Sequence, residues 1–129
     1  MTGSIPKHIL IIDDEMDIQA VARLALKTVA GWQVTTASSG IEGVTRAKQL
    51  QPDAILLDVM MPDVDGLSTL QQLQADPQTR SIPVILMTAK MQLPDMRKFS
   101  TLGITAVITK PFKAMQLAEQ IAQALAWQG

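Results

Sequence analysis

The sequence predicts an α/β fold, a five-stranded parallel sheet with helices on both faces, and two observations carry that prediction. Four short runs are almost wholly apolar: "HILII" at 8 to 12, "AILL" at 54 to 57, "PVILM" at 83 to 87 and "AVI" at 106 to 108. This is the pattern of strands buried on both faces. After each of them apolar residues recur at helical spacing. A helix following every strand requires parallel pairing through right-handed crossovers, which puts helices on both sides of the sheet.

The elements follow in order. After the strand at 8 to 12, Ile18, Ala22, Ala25 and Val29 mark the inner stripe of a first helix. "QVTTA" at 33 to 37 alternates and carries threonines, as an edge strand covered less fully would. A helix is expected over 41 to 50, then the strand at 54 to 57, then a helix marked by Leu67, Leu70 and Leu73. "ADPQTRSIP" at 75 to 83 reads as a surface connection. The strand at 83 to 87 leads to a fourth helix marked by Met96, Phe99 and Leu102. The strand at 106 to 108 leads to a fifth, marked by Leu117, Ala118, Ile121 and Leu125. Placing the polar second strand at an edge gives the order 2-1-3-4-5 of a flavodoxin-like (βα)5 three-layer sandwich. Ligands of such folds sit at the carboxyl ends of the strands, where the chain reverses between strands 1 and 3.

Composition sets further expectations. At 129 residues the chain is the size of one domain, and 1–129 is read as a single unit with no output domain. Eleven Lys and Arg against twelve Asp and Glu, without a basic block, leave no electrostatic footprint for nucleic acid. The absence of cysteine removes disulfides, thiolate metal sites and a thiol nucleophile together. "MTGSIPKH" lacks the apolar core of a signal peptide, and no run approaches the ~18 residues of a membrane span. No membrane insertion is expected, and a cytoplasmic location fits.

The chemistry gathers at the strand ends. "DAILLDVMMPDVDG" carries its apolar run straight into Asp58, and an ionised carboxylate there needs partners. Strand 1 ends in "IIDDE", so Asp13 and Asp14 leave the same rim beside it. Unit charges ~4 Å apart at an effective dielectric of ~20 repel by about 4 kcal/mol, so such a cluster raises its pKa values or holds a cation. Oxygen ligands without His or Cys point to a hard ion, Mg²⁺ before Ca²⁺. "LMTAK" brings Thr88 to the rim and "ITKPF" brings Lys110. Taken singly, Thr88 reads as a helix N-cap and Lys110 as a snorkelling surface lysine. Taken together, the four strand ends supply a nucleophile, a metal site, a hydroxyl donor and a cation, the inventory of phosphoryl transfer. The single histidine, His8, lies at the strand rather than on an exposed helix face and is a poor phosphodonor.

The chain resembles the receiver domains of two-component response regulators from about residue 7 to 126. The motifs are "ILIIDDE", "ILLDVMMPDVDG", "PVILMTAK" and "GITAVITKPF", in order and with the family's spacing. The resemblance implies that Asp58 takes a phosphoryl group from a phosphohistidine of a histidine kinase or a histidine phosphotransfer protein. It also implies Mg²⁺ on Asp14, Asp58 and the Met60 carbonyl with Asp13 helping through water, and Thr88 and Lys110 on the phosphoryl oxygens. The output would be a binding face for a downstream target protein, formed by the fourth helix, the fifth strand and the fifth helix. Beyond self-phosphotransfer and autodephosphorylation no enzymatic activity is expected. One departure stands out: the family's usual Tyr or Phe three residues before the lysine is Val107, and the chain has no Tyr. Two rival readings are an Mg²⁺ phosphatase of the haloacid dehalogenase-like class and a receiver-like docking module that works without phosphorylation. The first places its nucleophile after strand 1 in an Asp-x-Asp pattern, whereas strand 1 here gives Asp-Asp-Glu and the candidate nucleophile follows strand 3. The second draws on Val107 but not on the complete acid, threonine and lysine set.

Overall fold

The computed structural model describes residues 7–59, 66–89, 103–110 and 112–126. Within them lie five strands, β1 (His8–Ile12), β2 (Gln33–Ala37), β3 (Ala54–Asp58), β4 (Val84–Ala89) and β5 (Ala106–Lys110). They form one parallel sheet in the order β2-β1-β3-β4-β5. The helices are α1 (Met16–Ala25), α2 (Gly40–Leu50), α3 (Gly66–Ala75) and a C-terminal helix (Ala114–Ala124). The expected helix around Met96, Phe99 and Leu102 falls outside the described residues.

Alternation along each strand divides the core into two layers. Ile9, Ile11, Leu56, Ile85, Met87 and Ile108 face one side, against α1, the turn that continues it and the C-terminal helix, through Ala22, Leu26, Leu117 and Ile121. Leu10, Ile12, Ile55, Leu57 and Leu86 face the other, against α2 and α3 through Ala47, Leu70 and Leu73. Since β1 and β3 are apolar toward both layers, their backbones are fixed from both sides. Their last residues are therefore held rigidly at the rim.

Three segments depart from the sequence expectation. Strands β4 and β5 run two residues further than their apolar runs, through Ala89 and Lys110, because ladder pairing continues past the apolar stretch. The first helix does not keep its α-helical phase. After Ala25 it continues as a π turn over Leu26–Ala30 and stops at Gly31, whose φ of 70° is left-handed. Wider turns shift the phase, so Leu26 is buried and Val29, expected on the inner face, is exposed.

α2 starts with a variant of the capping box, in which Glu42 reaches back past the N-cap Ser39 to the residue before it. The Ser39 hydroxyl accepts from the Glu42 amide at 3.1 Å, and the Glu42 carboxylate accepts from the Ser38 amide at 2.6 Å. This helix presses close to β1 at Gly43. A Cβ there would lie 2.6 Å from Ile12 Cγ1, inside contact distance. Ile12 directly precedes the acidic rim, so Gly43→Ala is expected to lower stability by about 1–3 kcal/mol in urea unfolding, the cost of overpacking a filled core. An unchanged midpoint would mean that Ile12 gives way freely.

Candidate functional site

The carboxyl ends of β1, β3, β4 and β5 meet at one rim, and each delivers a polar residue. Asp13 directly follows β1 and Asp58 ends β3, and both are fully buried. Thr88 lies on β4 next to the last residue, opposite Thr109 in the ladder, and Lys110 ends β5 opposite Ala89. Asp14 and Glu15 lie on the exposed turn into α1. Carboxylate oxygens of Asp13, Asp14, Glu15 and Asp58 all come within 4.8 Å of one another.

Lys110 is the cation at the centre. Its ammonium lies 2.7 Å from Asp13 Oδ2, 3.1 Å from Glu15 Oε1 and 3.3 Å from Asp58 Oδ2, with its side chain only 12% exposed. The snorkelling-surface reading of this lysine does not hold. Burial pushes the ammonium pKa down, but the hydrogen bond to Asp13 and the charges of Asp13 and Asp58, with Glu15 adding to them, outweigh it and hold the group above its ordinary value. Asp13 is pushed up, first by burial and further by the neighbouring Asp58 charge, against the pull of Lys110 and of the Glu15 amide. Among the described residues, one ammonium meets a cluster of four carboxylates and pairs with three of them.

Asp13 is held on every side. Its amide donates to the Ala37 carbonyl at 3.0 Å, and its Oδ1 accepts from the Glu15 amide at 2.8 Å. The Gln19 side-chain amide donates to its main-chain carbonyl. Thr88 is fully buried, and its hydroxyl has no hydrogen-bond partner among the described residues. Among the described residues, a buried hydroxyl left without a partner on the strand next to Asp58 can donate to an incoming acceptor.

The donor set fits a hard divalent ion. Among the described residues it is all oxygen and combines buried and exposed carboxylates, with no nitrogen or sulfur ligand to favour a softer metal. Of the residues singled out in the sequence, Asp13, Asp14, Asp58, Thr88 and Lys110 come to this rim, while Met60 lies outside the described residues. His8 is elsewhere, its Nε2 2.8 Å from Thr35 Oγ1 on the neighbouring strand. Val107 is half-buried against the α2 and α3 layer.

Two residues of the site went unassigned in the sequence. Glu15 stood in the "IIDDE" motif without a role, yet it pairs with Lys110. Gln19 lay unnoticed among the polar residues of the first helix, although Gln19, Ala22 and Leu26 share one helical stripe and all three are buried.

Residues 9–122 match the family model described as the response regulator receiver domain. Over 114 residues the chain is 40% identical to the DNA-binding dual master transcriptional regulator RpaA of a Synechocystis strain, covering 88% of this chain and 47% of that protein. The chain thus spans about half the length of the curated relatives it matches. The N-terminal domain of a response regulator receiver protein from Methanoculleus marisnigri JR1 superposes with a TM-score of 0.75 at 37% identity, over 95% of this chain and 98% of that one. The receiver domain of a sensor histidine kinase from Pseudomonas aeruginosa PAO1, solved with a magnesium ion coordinated in its active site cleft, gives 0.82 at 29% identity, over 95% and 99%.

Proposed function

The chain belongs to the response regulator receiver family, and on that premise we propose that Asp58 is its phosphoacceptor. The observation that carries the reading is the joint placement of Asp58, the acid cluster, Thr88 and Lys110 at one sheet rim. In the reaction an Asp58 carboxylate oxygen attacks phosphorus in line as the bond from phosphorus to the donor imidazole nitrogen breaks. The imidazole leaves with the bond's electron pair, and an acyl phosphate forms on Asp58. The donor is a phosphohistidine of a histidine kinase or of a histidine phosphotransfer protein. Asp13, Asp14 and Asp58 would hold Mg²⁺, which supplies charge to the phosphoryl oxygens when bound. Lys110 is within reach to exchange part of its carboxylate pairing for a phosphoryl oxygen. The Thr88 hydroxyl, lacking a described partner, supplies a donor to another.

The consequence is a changed protein surface rather than a released product, and the target is a downstream protein. With Val107 in place of an aromatic ring, the response at β5 is carried by Thr88 and the backbone beside it. The reading as a haloacid dehalogenase-like phosphatase draws no support from the site, where the central acid ends β3 rather than β1.

The reading is tested by incubating the protein with acetyl phosphate and Mg²⁺. Intact mass should rise by one phosphate, and borohydride reduction followed by peptide mapping should place it at residue 58. Incorporation at any other residue would overturn the assignment.

The metal gives a separate expectation. Binding at a hundredfold over the dissociation constant stabilises a fold by about 2.7 kcal/mol. Asp14→Asn should therefore lose the Mg²⁺-dependent rise in melting temperature while the metal-free variant melts no lower than wild type, because one source of repulsion is gone. An equal Mg²⁺ shift in both proteins would place the metal elsewhere.

A further inference from the structure

Gln19 lies on α1, contributes no carboxylate to the cluster, and is 6% exposed. Burying a primary amide is costly unless its hydrogens are used, and here they are used on main-chain and hydroxyl oxygens at the ends of two strands. Its Nε2 donates to the Asp13 carbonyl, approaches the Ala37 carbonyl at 3.4 Å and donates to Ser38 Oγ at 3.1 Å. Ala37 ends β2, and its carbonyl also accepts the Asp13 amide. One side chain therefore closes a ring around the peptide units on both sides of Asp13, tying β1 to the turn that enters α2. The Gln19 backbone is itself set by the first turn of α1, where its amide donates to the Glu15 carbonyl at 3.1 Å.

The geometry points to Gln19 as a positioning residue for the acid pair, an inference that rests on the Mg²⁺ and phosphoacceptor reading above. Asp13 carries its carboxylate on the peptide unit that Gln19 clamps, and Asp14 is the next residue. A rotation of that unit would swing both carboxylates away from Asp58 and Lys110. Nothing else among the described residues bonds the Asp13 carbonyl, so among them the clamp has no substitute. Partners one step outside a metal's ligands commonly alter affinity by about 10- to 100-fold when removed, because the ligands lose their preset direction.

The test is Gln19→Leu, which keeps the bulk and removes the donors, beside Thr79→Val as a stability control. Thr79 is equally buried, with its hydroxyl on the Leu73 carbonyl at 2.6 Å, in the connection that enters the opposite end of β4. Two readouts are taken at a temperature where all three proteins are folded: Mg²⁺ affinity by calorimetry, and hydrogen exchange of the Asp13 amide in metal-free protein. Gln19→Leu should weaken Mg²⁺ binding about tenfold and speed exchange at Asp13. Thr79→Val should leave both at the wild-type value despite a lower melting temperature. If Gln19→Leu is destabilised like the control but binds Mg²⁺ with wild-type affinity, Gln19 is only a structural contact and the proposal fails. If wild type itself binds no Mg²⁺, the metal reading fails. The exchange readout then still decides the clamp: unaltered protection of the Asp13 amide in Gln19→Leu overturns it.

Discussion

Lys110→Met should lower the stability of the metal-free protein by about 3 kcal/mol at neutral pH, the largest effect expected at any single position of the site. Removing one partner of a buried ion pair typically costs about 3–5 kcal/mol, because the remaining charge is left without compensation. Here two fully buried carboxylates, Asp13 and Asp58, lose the same ammonium. The lower end applies because the side chain keeps a 12% opening to water and the third partner, Glu15, is solvated. The pH dependence follows from the signs. The Asp13 carboxyl lies above its ordinary value, so its burial as an anion weakens the fold as pH rises through that raised value, and protonation below it removes the penalty. The Lys110 ammonium also lies above its ordinary value, so its contribution is complete below the unfolded lysine value and lost as pH passes the raised one. The difference between wild type and Lys110→Met should therefore be widest between these limits. It should close at acid pH and again at strongly alkaline pH. Urea unfolding at a series of pH values reads this directly, and a difference independent of pH would mean that methionine disturbs packing rather than charge. Mg²⁺ should narrow the gap, since it supplies charge to the same carboxylates.

Asp58→Asn should reduce phosphate incorporation to background, more than about a hundredfold, because a carboxamide offers no anionic oxygen for attack. The substitution is nearly isosteric and Asp58 is buried at the end of a strand paired on both sides, so the fold should survive. The measurement is intact mass after acetyl phosphate treatment, with melting temperature as the control for folding. Undiminished incorporation in a folded Asp58→Asn protein would remove Asp58 from the reaction and leave the rim as a metal site alone. The two substitutions separate roles that the geometry brings together. Lys110→Met should act mainly through charge balance, and Asp58→Asn through the loss of the reacting atom.

The sheet was legible in the sequence because its inner strands are apolar toward both layers, which no exposed segment imitates. Asp13, Asp58, Thr88 and Lys110 were legible for a related reason: a polar residue closing such a run has nowhere to be but the rim. What could not be read was anything set by contacts across the chain. The π turn at Leu26–Ala30 keeps the apolar pattern of a helix while changing its phase, so Val29 looked inward on paper and is exposed in the fold. Gln19 was missed because a glutamine in a short amphipathic helix ordinarily belongs to solvent. Only the arrival of the Ala37 to Ser38 turn buries it. Lys110 was read as a group awaiting a phosphate, and its engagement with Asp13 and Glu15 depended on distances that no spacing encodes.

The pairing of Lys110 with Glu15 joins residues 95 positions apart, and it has a consequence for how the chain comes into being. During synthesis the acids that follow β1 emerge well before the ammonium that offsets them. Until β5 docks these acids lack Lys110, and loop closure over that span must be completed before the rim exists. Partly made or partly opened chains therefore lack the full site even when Asp58 is already in place. On the proposed reading, competence to react belongs to the finished sheet, and deleting β5 should abolish it.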